Sequence, residues 1–281
     1  MSSTIDDDFD AADAYAFTGV PIQPVDTGQP RFPFLFLIDV SASTAAIPDG
    51  SDRADILSLN DMLRNLFARL NSGPPGDPLE LKRPEIDVAV ITYADQARVH
   101  MPWTRADTIN PSPPPIDALP EATRMGEALS YAITYVRDMQ QYYRRQKLPK
   151  SGLPVIFHIT DGGATDLDVG KEKAQELRNA IDHLNPGGEV PSKLLIYHFI
   201  TPNGYLASIT DTQNNRMTGE QYLIQLFGKN HVMPLRDGVD SFDTLVRFIT
   251  VTISSISQGP TPTAEMLKNL MSTFNVMQTA P

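Results

Sequence analysis

Oxygen-bearing side chains follow two apolar runs of this sequence. Asp39, Ser41 and Ser43 come directly after the run Phe34–Ile38, and Asp161 follows a second apolar run. Short apolar runs of this kind predict buried strands, and the residues just past a strand's end lie at the rim of the sheet. Carboxylate and hydroxyl oxygens at such a rim are the donors that a small, hard divalent cation prefers. The pattern therefore favours a metal site at one edge of a sheet.

The Asp-x-Ser-x-Ser cluster by itself has a second interpretation, because Asp and Ser also favour turns and the first residues of helices. Two further features make the metal interpretation more specific: Thr123 opens a helical pattern, and the pair Asp161-Gly162 closes a strand. Three separate loops then contribute to one site. The candidate metal ligands are Asp39, Ser41, Ser43, Thr123 and Asp161.

Length and composition set limits on the class of protein. With 281 residues and 41% hydrophobic content, the chain is long enough for one domain with a sizeable core and tails. It has no cysteine, which excludes disulfides and thiolate metal sites. The first residues lack the pattern of a signal peptide, and no apolar run approaches the roughly 20 residues of a membrane span. We therefore expect a cytoplasmic protein that does not insert in a membrane.

The charge is strongly acidic and unevenly distributed. The net charge is -11 and the sequence pI is about 4.8, which argues against a nucleic-acid partner because phosphate backbones attract basic surfaces. Residues 1–30 hold six Asp and no Lys or Arg. This segment is predicted to be an acidic flexible tail, and the alternative is a docking arm for a basic partner.

From Phe34 onward, short apolar strands alternate with helical patterns. This order predicts an α/β fold with a central, mostly parallel sheet and helices on both faces. Ile86–Tyr93 and Ala97–Trp103 are joined by a tight connection and predict one antiparallel edge strand. Helical spacing covers residues 51–71, 125–147, 168–184, 218–226 and 242–256, and further strands are expected at 154–160, 193–200 and 231–235. The domain is expected to span 31–258, followed by a tail, 259–281, with a weak helical stripe that could dock on the domain or on a partner.

Several other segments have competing interpretations. Residues 110–120 contain five prolines, which favours an extended surface loop, with a docking peptide as the alternative. Asp166 and Asp168 are expected to cap a helix rather than to bind metal. His158 is expected to be a hydrogen-bonded core residue, and the other histidines show no metal-binding spacing.

In residue set and chain order, the five candidate ligands resemble the metal-ion-dependent adhesion site of von Willebrand factor A (vWA) domains. The resemblance implies a Rossmann-like vWA fold and a bound Mg²⁺ or Mn²⁺. It also implies that Ser41, Ser43 and Thr123 bind the ion directly or through water, that Asp39 and Asp161 move between inner and outer shell, and that a Glu or Asp from a protein partner completes the coordination. The sequence departs from the common family pattern at Ala42 and at Glu121-Ala122.

Three stretches, residues 119–129, 158–166 and 242–257, are similar to the bacterial TerY-like group of vWA proteins, associated with tellurium resistance and stress operons. Such proteins are often encoded with a serine/threonine kinase and a phosphatase. The resemblance implies a scaffold in a phosphorylation circuit. An alternative with the same fold is the substrate-recruiting subunit of a MoxR-type AAA ATPase.

A magnesium-dependent phosphohydrolase is the alternative of another class, an enzyme, because an Asp at a strand end also fits aspartyl-phosphate chemistry. Haloacid dehalogenase-like phosphatases place a second Asp two residues after the nucleophile, whereas this chain has Ser41 there. A phosphate-binding Gly-x-x-x-x-Gly-Lys-Ser/Thr loop and a Gly-x-Ser-x-Gly nucleophile elbow are also absent from the sequence. We therefore expect that the protein is not an enzyme.

Overall fold

The computed structural model describes residues 30–48, 53–73, 76, 77, 79–148, 154–182, 195–205, 208–210, 216–235, 239–257 and 272. The predicted acidic tail and the predicted C-terminal tail lie outside the described residues, apart from residues 30 and 272. Those two expectations, and the domain boundaries that depend on them, stay predictions.

Among the described residues, a six-stranded sheet forms the centre of the molecule. Its strands are β1 (Phe32–Asp39), β2 (Ile86–Tyr93), β3 (Ala97–Arg105), β4 (Val155–Thr160), β5 (Leu195–Ile200) and β8 (Val232–Pro234). They lie side by side in the order β3-β2-β1-β4-β5-β8. All neighbouring strands are parallel except β2 and β3. The single antiparallel edge strand is therefore confirmed.

In the part of the chain that the structure describes, five α-helices cover the two faces of the sheet, as the alternating pattern predicts. They are α1 (Asp55–Ser72), α2 (Met125–Arg145), α3 (Leu167–Asp182), α4 (Gly219–Phe227) and α5 (Val239–Ser257). Helices α1 and α5 pack on the face that carries Phe34, Phe36 and Ile38, and the other three helices pack on the face that carries Leu35 and Leu37. Because both faces are buried, β1 is apolar at almost every position instead of alternating.

The structure adds a short two-stranded ribbon to the expected strands and helices. The sequence of residues 204–230 shows a helical pattern only near its end. In the structure, Ser208–Thr210 (β6) and Arg216–Thr218 (β7) form a separate antiparallel ribbon. Strands of three residues are too short to show the alternation of apolar and polar residues from which a strand is predicted. The ribbon leads directly into α4, where Thr218 and Gln221 form a reciprocal capping box.

The parallel arrangement determines where the candidate ligands lie. Strands β1 and β4 are neighbours and run in the same direction, so their carboxyl ends meet at one edge. Asp39 is the last residue of β1, and Asp161 directly follows β4. In an open α/β sheet, this edge is where ligands bind.

Candidate metal site

Asp39 is held by hydrogen-bond donors on both carboxylate oxygens. Its side chain is fully buried. The backbone N–H of Ser41 donates to Oδ1 at 3.0 Å, and the Thr160 hydroxyl donates to Oδ2 at 2.8 Å. The Tyr93 hydroxyl lies 3.5 Å from the same Oδ2. This carboxylate is therefore fixed by protein groups before any ligand arrives.

The two serines lie in the turn that follows β1. Ser41 is buried and Ser43 is exposed, yet their hydroxyl oxygens lie 3.2 Å apart. The turn is stabilised by the Thr44 hydroxyl, which donates to the Ser41 carbonyl at 2.7 Å. A 3-10 helix, Ala42–Ala45, follows Ser41 and includes Ser43. Two hydroxyls this close can serve the same small ligand.

Thr123 belongs to the loop before α2, and its backbone joins this loop to the one after β4. The backbone N–H and the hydroxyl of Thr165 donate to the Thr123 carbonyl at 2.8 and 2.9 Å. The Ala42 N–H donates to the Glu121 carbonyl at 3.4 Å, so the same loop also contacts the serine turn. The structure thus brings the three loops together. The helix itself begins at Met125, the first residue of the helical spacing in the sequence.

Asp161 differs from Asp39 in one respect. Its Oδ1 accepts a hydrogen bond from the Gly163 N–H at 2.9 Å, but its Oδ2 is buried and has no hydrogen-bond partner. A buried, unpaired carboxylate oxygen is costly, because its desolvation is not compensated. This is the oxygen for which a bound cation would provide a partner.

Asp161 also has glycine neighbours that allow close backbone packing. Gly162 has a φ of +73°, a left-handed conformation that glycine adopts without strain. Gly219, the first residue of α4, approaches so closely that a Cβ there would lie 2.1 Å from the Asp161 carbonyl oxygen. The start of α4 therefore supports the backbone of the candidate ligand.

This close approach predicts that Gly219 does not tolerate a side chain. Gly219→Ala should destabilise the protein by about 1 to 3 kcal/mol, because the added methyl forces the Asp161 backbone to move. It should also weaken metal binding. Gln225→Ala, at an exposed position of the same helix, is the matched control. Urea unfolding and metal titration of both variants measure the effects, and equal stability of the two would contradict the prediction.

Burial and mutual repulsion perturb the acidic groups. The pKa of Asp39 is raised to about 7, first by burial and then by the neighbouring charge of Asp161, while hydrogen bonds from Ser41 and Thr160 oppose the shift. Burial also raises the pKa of Asp55 to about 6, with a smaller contribution from Asp161. A cation at this position would relieve the repulsion.

The donor set fits a hydroxyl-rich site rather than a cluster of charged ligands. Among the described residues, no three His, Cys, Asp or Glu side chains converge as a metal-binding group. A cation here would depend on two carboxylates supplemented by hydroxyls and water, which suits Mg²⁺ or Mn²⁺. The unpaired Oδ2 of Asp161 is consistent with this fit.

Two residues near the site have no clear signal in the sequence. Asp55, in the first turn of α1, is 2% exposed and accepts a 3.4 Å hydrogen bond from the Asn203 N–H. The Asn203 amide donates to the carbonyls of Ser43 and Ala46 at 3.0 and 3.2 Å, so it holds the serine turn to the end of β5. An Asp at a helix start resembles an ordinary cap, and its burial depends on tertiary packing.

Asp166 is a helix cap, as expected, although the helix that it caps lies elsewhere along the chain. Its carboxylate accepts hydrogen bonds from the Gly126 and Glu127 N–H groups at 3.0 and 2.9 Å, so it caps α2 across the structure instead of its own helix. Asp168 lies exposed in the first turn of α3. These two hydrogen bonds from the start of α2 to Asp166 add a further link between the segment after Asp161 and the segment after Thr123.

His158 is a hydrogen-bonded core residue, as expected. Its Nε2 lies 2.7 Å from the Tyr93 hydroxyl, and its Nδ1 lies 2.8 Å from Nδ1 of His198. The contact between the two histidines is not evident from their spacing along the chain. It arises because β4 and β5 pair in parallel register, with residue 158 beside residue 198.

Comparison with known proteins supports the fold. The model of the von Willebrand factor type A domain family matches residues 34–164, a range that contains all five candidate ligands. A search of curated proteins gave no significant match. None of the helices among the described residues is both long and apolar enough to cross a membrane.

Several solved structures are similar to this chain at low sequence identity. The D319A mutant of the PilB minor pilin from Streptococcus sanguinis gives a TM-score of 0.51 at 11% identity, covering 93% of this chain and 65% of that chain. BatB, a conserved hypothetical protein from Bacteroides thetaiotaomicron, gives 0.45 at 15% identity, covering 82% and 100%. Proximal thread matrix protein 1 from the mussel byssus, with a zinc-occupied MIDAS motif, gives 0.44 at 14% identity, covering 80% and 46%. At these identities the likeness concerns the fold alone.

Proposed function

Because the chain has the α/β fold of a von Willebrand factor A domain, we propose that it is a non-enzymatic binding module that holds a protein partner through Mg²⁺ or Mn²⁺. The observation that carries this proposal is the buried, unpaired Oδ2 of Asp161 at the rim of the sheet. Buried carboxylate oxygens in folded proteins nearly always have a partner, which the protein, an ordered water or a bound ion supplies.

The surrounding residues support distinct roles at the site. Asp161 offers its free oxygen to the cation, and the Ser41 and Ser43 hydroxyls lie together at the rim. Asp39 contributes negative charge from a position fixed by its own donors. The bound metal would supply a Lewis-acid position, with preference for an anionic oxygen, that a partner's Glu or Asp side chain can occupy.

The same residues give little support for catalysis. Position 41, where an aspartyl-phosphate enzyme would need a general acid, is Ser, and its hydroxyl already contacts Ser43. His158 is fully buried and engaged by Tyr93 and His198. We expect that the purified chain does not hydrolyse phosphate esters or nucleotides in Mg²⁺. Turnover that disappears in Asp39→Asn would contradict the binding-module proposal.

We further propose a cytoplasmic scaffold role of the TerY type, in a circuit with a serine/threonine kinase and a phosphatase. This part is supported by the three sequence stretches 119–129, 158–166 and 242–257. An AAA ATPase among the captured partners would favour the MoxR-type alternative instead.

Partner capture tests the proposal. The purified chain should retain a cellular partner in Mg²⁺ or Mn²⁺, lose it in EDTA, and lose it in Asp39→Ala or Thr123→Ala. Asp168→Ala, which changes an exposed acid outside the candidate ligand set, is the control that should bind normally. Capture that is insensitive both to EDTA and to Asp39→Ala would contradict a metal-held interface and place it elsewhere on the protein.

A further inference from the structure

A line of buried polar side chains leads away from the candidate metal site into the core. It begins at Oδ2 of Asp39, continues 3.5 Å to the Tyr93 hydroxyl, 2.7 Å to Nε2 of His158, and 2.8 Å from Nδ1 of His158 to Nδ1 of His198. Tyr93 is 1% exposed, and both histidines are fully buried. Neither the fold nor the candidate ligand set by itself requires three polar side chains in this position.

Both imidazoles are neutral at physiological pH, which limits how the protons are arranged. Burial lowers the pKa of His158 to about 3 and lowers the pKa of His198 well below its usual value. A neutral imidazole has one N–H donor and one nitrogen acceptor. Since the two Nδ1 atoms face each other, one of them carries a proton and the other accepts it. The tautomers of the two histidines are therefore linked.

The surroundings of His198, at the far end of the line, show which of the two linked tautomer arrangements is present. Nε2 of His198 is buried without a hydrogen-bond partner, and the Phe227 ring covers the imidazole at a centroid distance of 3.9 Å. An unpaired buried N–H is rarer than an unpaired acceptor, so His198 should carry its proton on Nδ1 and donate it to His158. His158 then carries its proton on Nε2 and donates to the Tyr93 oxygen. Consequently, the Tyr93 proton is free to point at Asp39.

We propose that Tyr93, His158 and His198 are positioning residues that hold Asp39 in its metal-binding orientation through a chain of hydrogen bonds directed toward the carboxylate. This inference rests on the proposed metal-binding function and adds a buried support to it. The relay, defined as these three residues, complements the 2.8 Å donation from Thr160 to the same oxygen. With the opposite tautomers, the Tyr93 hydroxyl would donate its proton to Nε2 of His158. Its oxygen would then present only a lone pair to the Asp39 carboxylate.

Helix α4 contacts both the candidate metal site and the His198 end of the relay. Its first residue, Gly219, packs against the backbone of Asp161, and its last residue, Phe227, covers the outer end of the relay at His198. The helix thus contacts both a candidate ligand and the support of the other carboxylate.

A matched pair of tyrosine variants tests the inference. Tyr93→Phe should weaken Mn²⁺ binding by about tenfold, since a hydrogen bond to a charged carboxylate is lost. Tyr222→Phe is the control, because this buried tyrosine lies on the same face of the sheet but donates to the Leu167 carbonyl at 3.1 Å. Calorimetric Mn²⁺ titration measures affinity, and thermal unfolding of both metal-free variants measures stability. We expect similar losses of stability but weakened binding only in Tyr93→Phe.

Nitrogen-15 NMR of the wild-type imidazoles provides a second readout that needs no variant. The relay requires a protonated Nε2 on His158 and a protonated Nδ1 on His198. The opposite tautomers, unchanged Mn²⁺ affinity in Tyr93→Phe, or equal weakening in both variants would each overturn it. If the wild type binds no Mn²⁺, the proposed function fails and the metal-related role of the relay fails with it. If the wild type binds but the tautomers are reversed, the relay alone fails.

Discussion

Asp39→Asn should stabilise the metal-free protein at pH 8 and have a much smaller effect at pH 4. The folded-state pKa of Asp39, about 7, lies above the usual value of 3.8 because of burial and the adjacent Asp161. The folded state therefore holds a proton that the unfolded state has released, and wild-type stability falls as the pH rises between about 4 and 7. The shift corresponds to roughly 4 kcal/mol of stability lost by pH 8. The asparagine variant avoids this loss.

Metal should reverse the difference between the two proteins. At pH 8, Mg²⁺ should stabilise the wild type, in which Asp39 is then charged, and should have little effect on Asp39→Asn. Urea unfolding at pH 4, 6 and 8, with and without Mg²⁺, measures both effects. Parallel stability curves for the two proteins across this range would contradict the raised pKa of the buried Asp39 carboxyl.

Asp87→Ala should produce a similarly large effect away from the candidate site. Asp87 forms a buried ion pair with Arg31, and both side chains are fully inaccessible to solvent. The Arg31 Nε donates to Asp87 at 2.8 Å, and the Tyr143 hydroxyl also donates to this carboxylate. Removing the carboxylate leaves a buried guanidinium without its counter-ion, which costs about 3 to 5 kcal/mol.

A surface ion pair provides the control for this prediction. Arg105 and Asp107 pair at 2.7 Å with both side chains 26% exposed, so Asp107→Ala should cost less than about 1 kcal/mol. Denaturant unfolding compares the two variants. A loss below about 1 kcal/mol for Asp87→Ala would show that the buried pair contributes little. Metal affinity measured under conditions where Asp87→Ala remains folded should be unchanged, because this pair is outside the candidate ligand set.

Much of the architecture could be predicted from the sequence because its signals are local. Apolar runs such as Phe34–Ile38 predict strands, helical spacing predicts the covering helices, and parallel strands place their carboxyl ends at one edge. The positions of Asp39 and Asp161 at that edge follow from these rules. The proline-rich segment 110–120 likewise contains neither helix nor strand in the structure, as its composition indicates.

The features that could not be predicted depend on contacts between distant parts of the chain. The burial of Asp55, the Asn203 bridge to the serine turn and the contact between His158 and His198 all require the relative positions of separate elements. The unpaired Oδ2 of Asp161 is of the same kind, since its environment depends on how the surrounding loops and glycines pack. A sequence pattern identifies candidate ligands, whereas their supports become visible only when the chain is folded.

Calorimetric titration of Mn²⁺ into the purified chain tests the central claim most directly. The wild type should bind one ion, and Asp161→Ala should bind at least about a hundredfold more weakly, because it removes the oxygen for which the cation is the expected partner. Asp168→Ala, the exposed acid in the first turn of α3, should bind as the wild type does. A wild type that binds no Mn²⁺ or Mg²⁺, or an Asp161→Ala variant that binds with unchanged affinity, would contradict the existence of a metal site at this edge of the sheet.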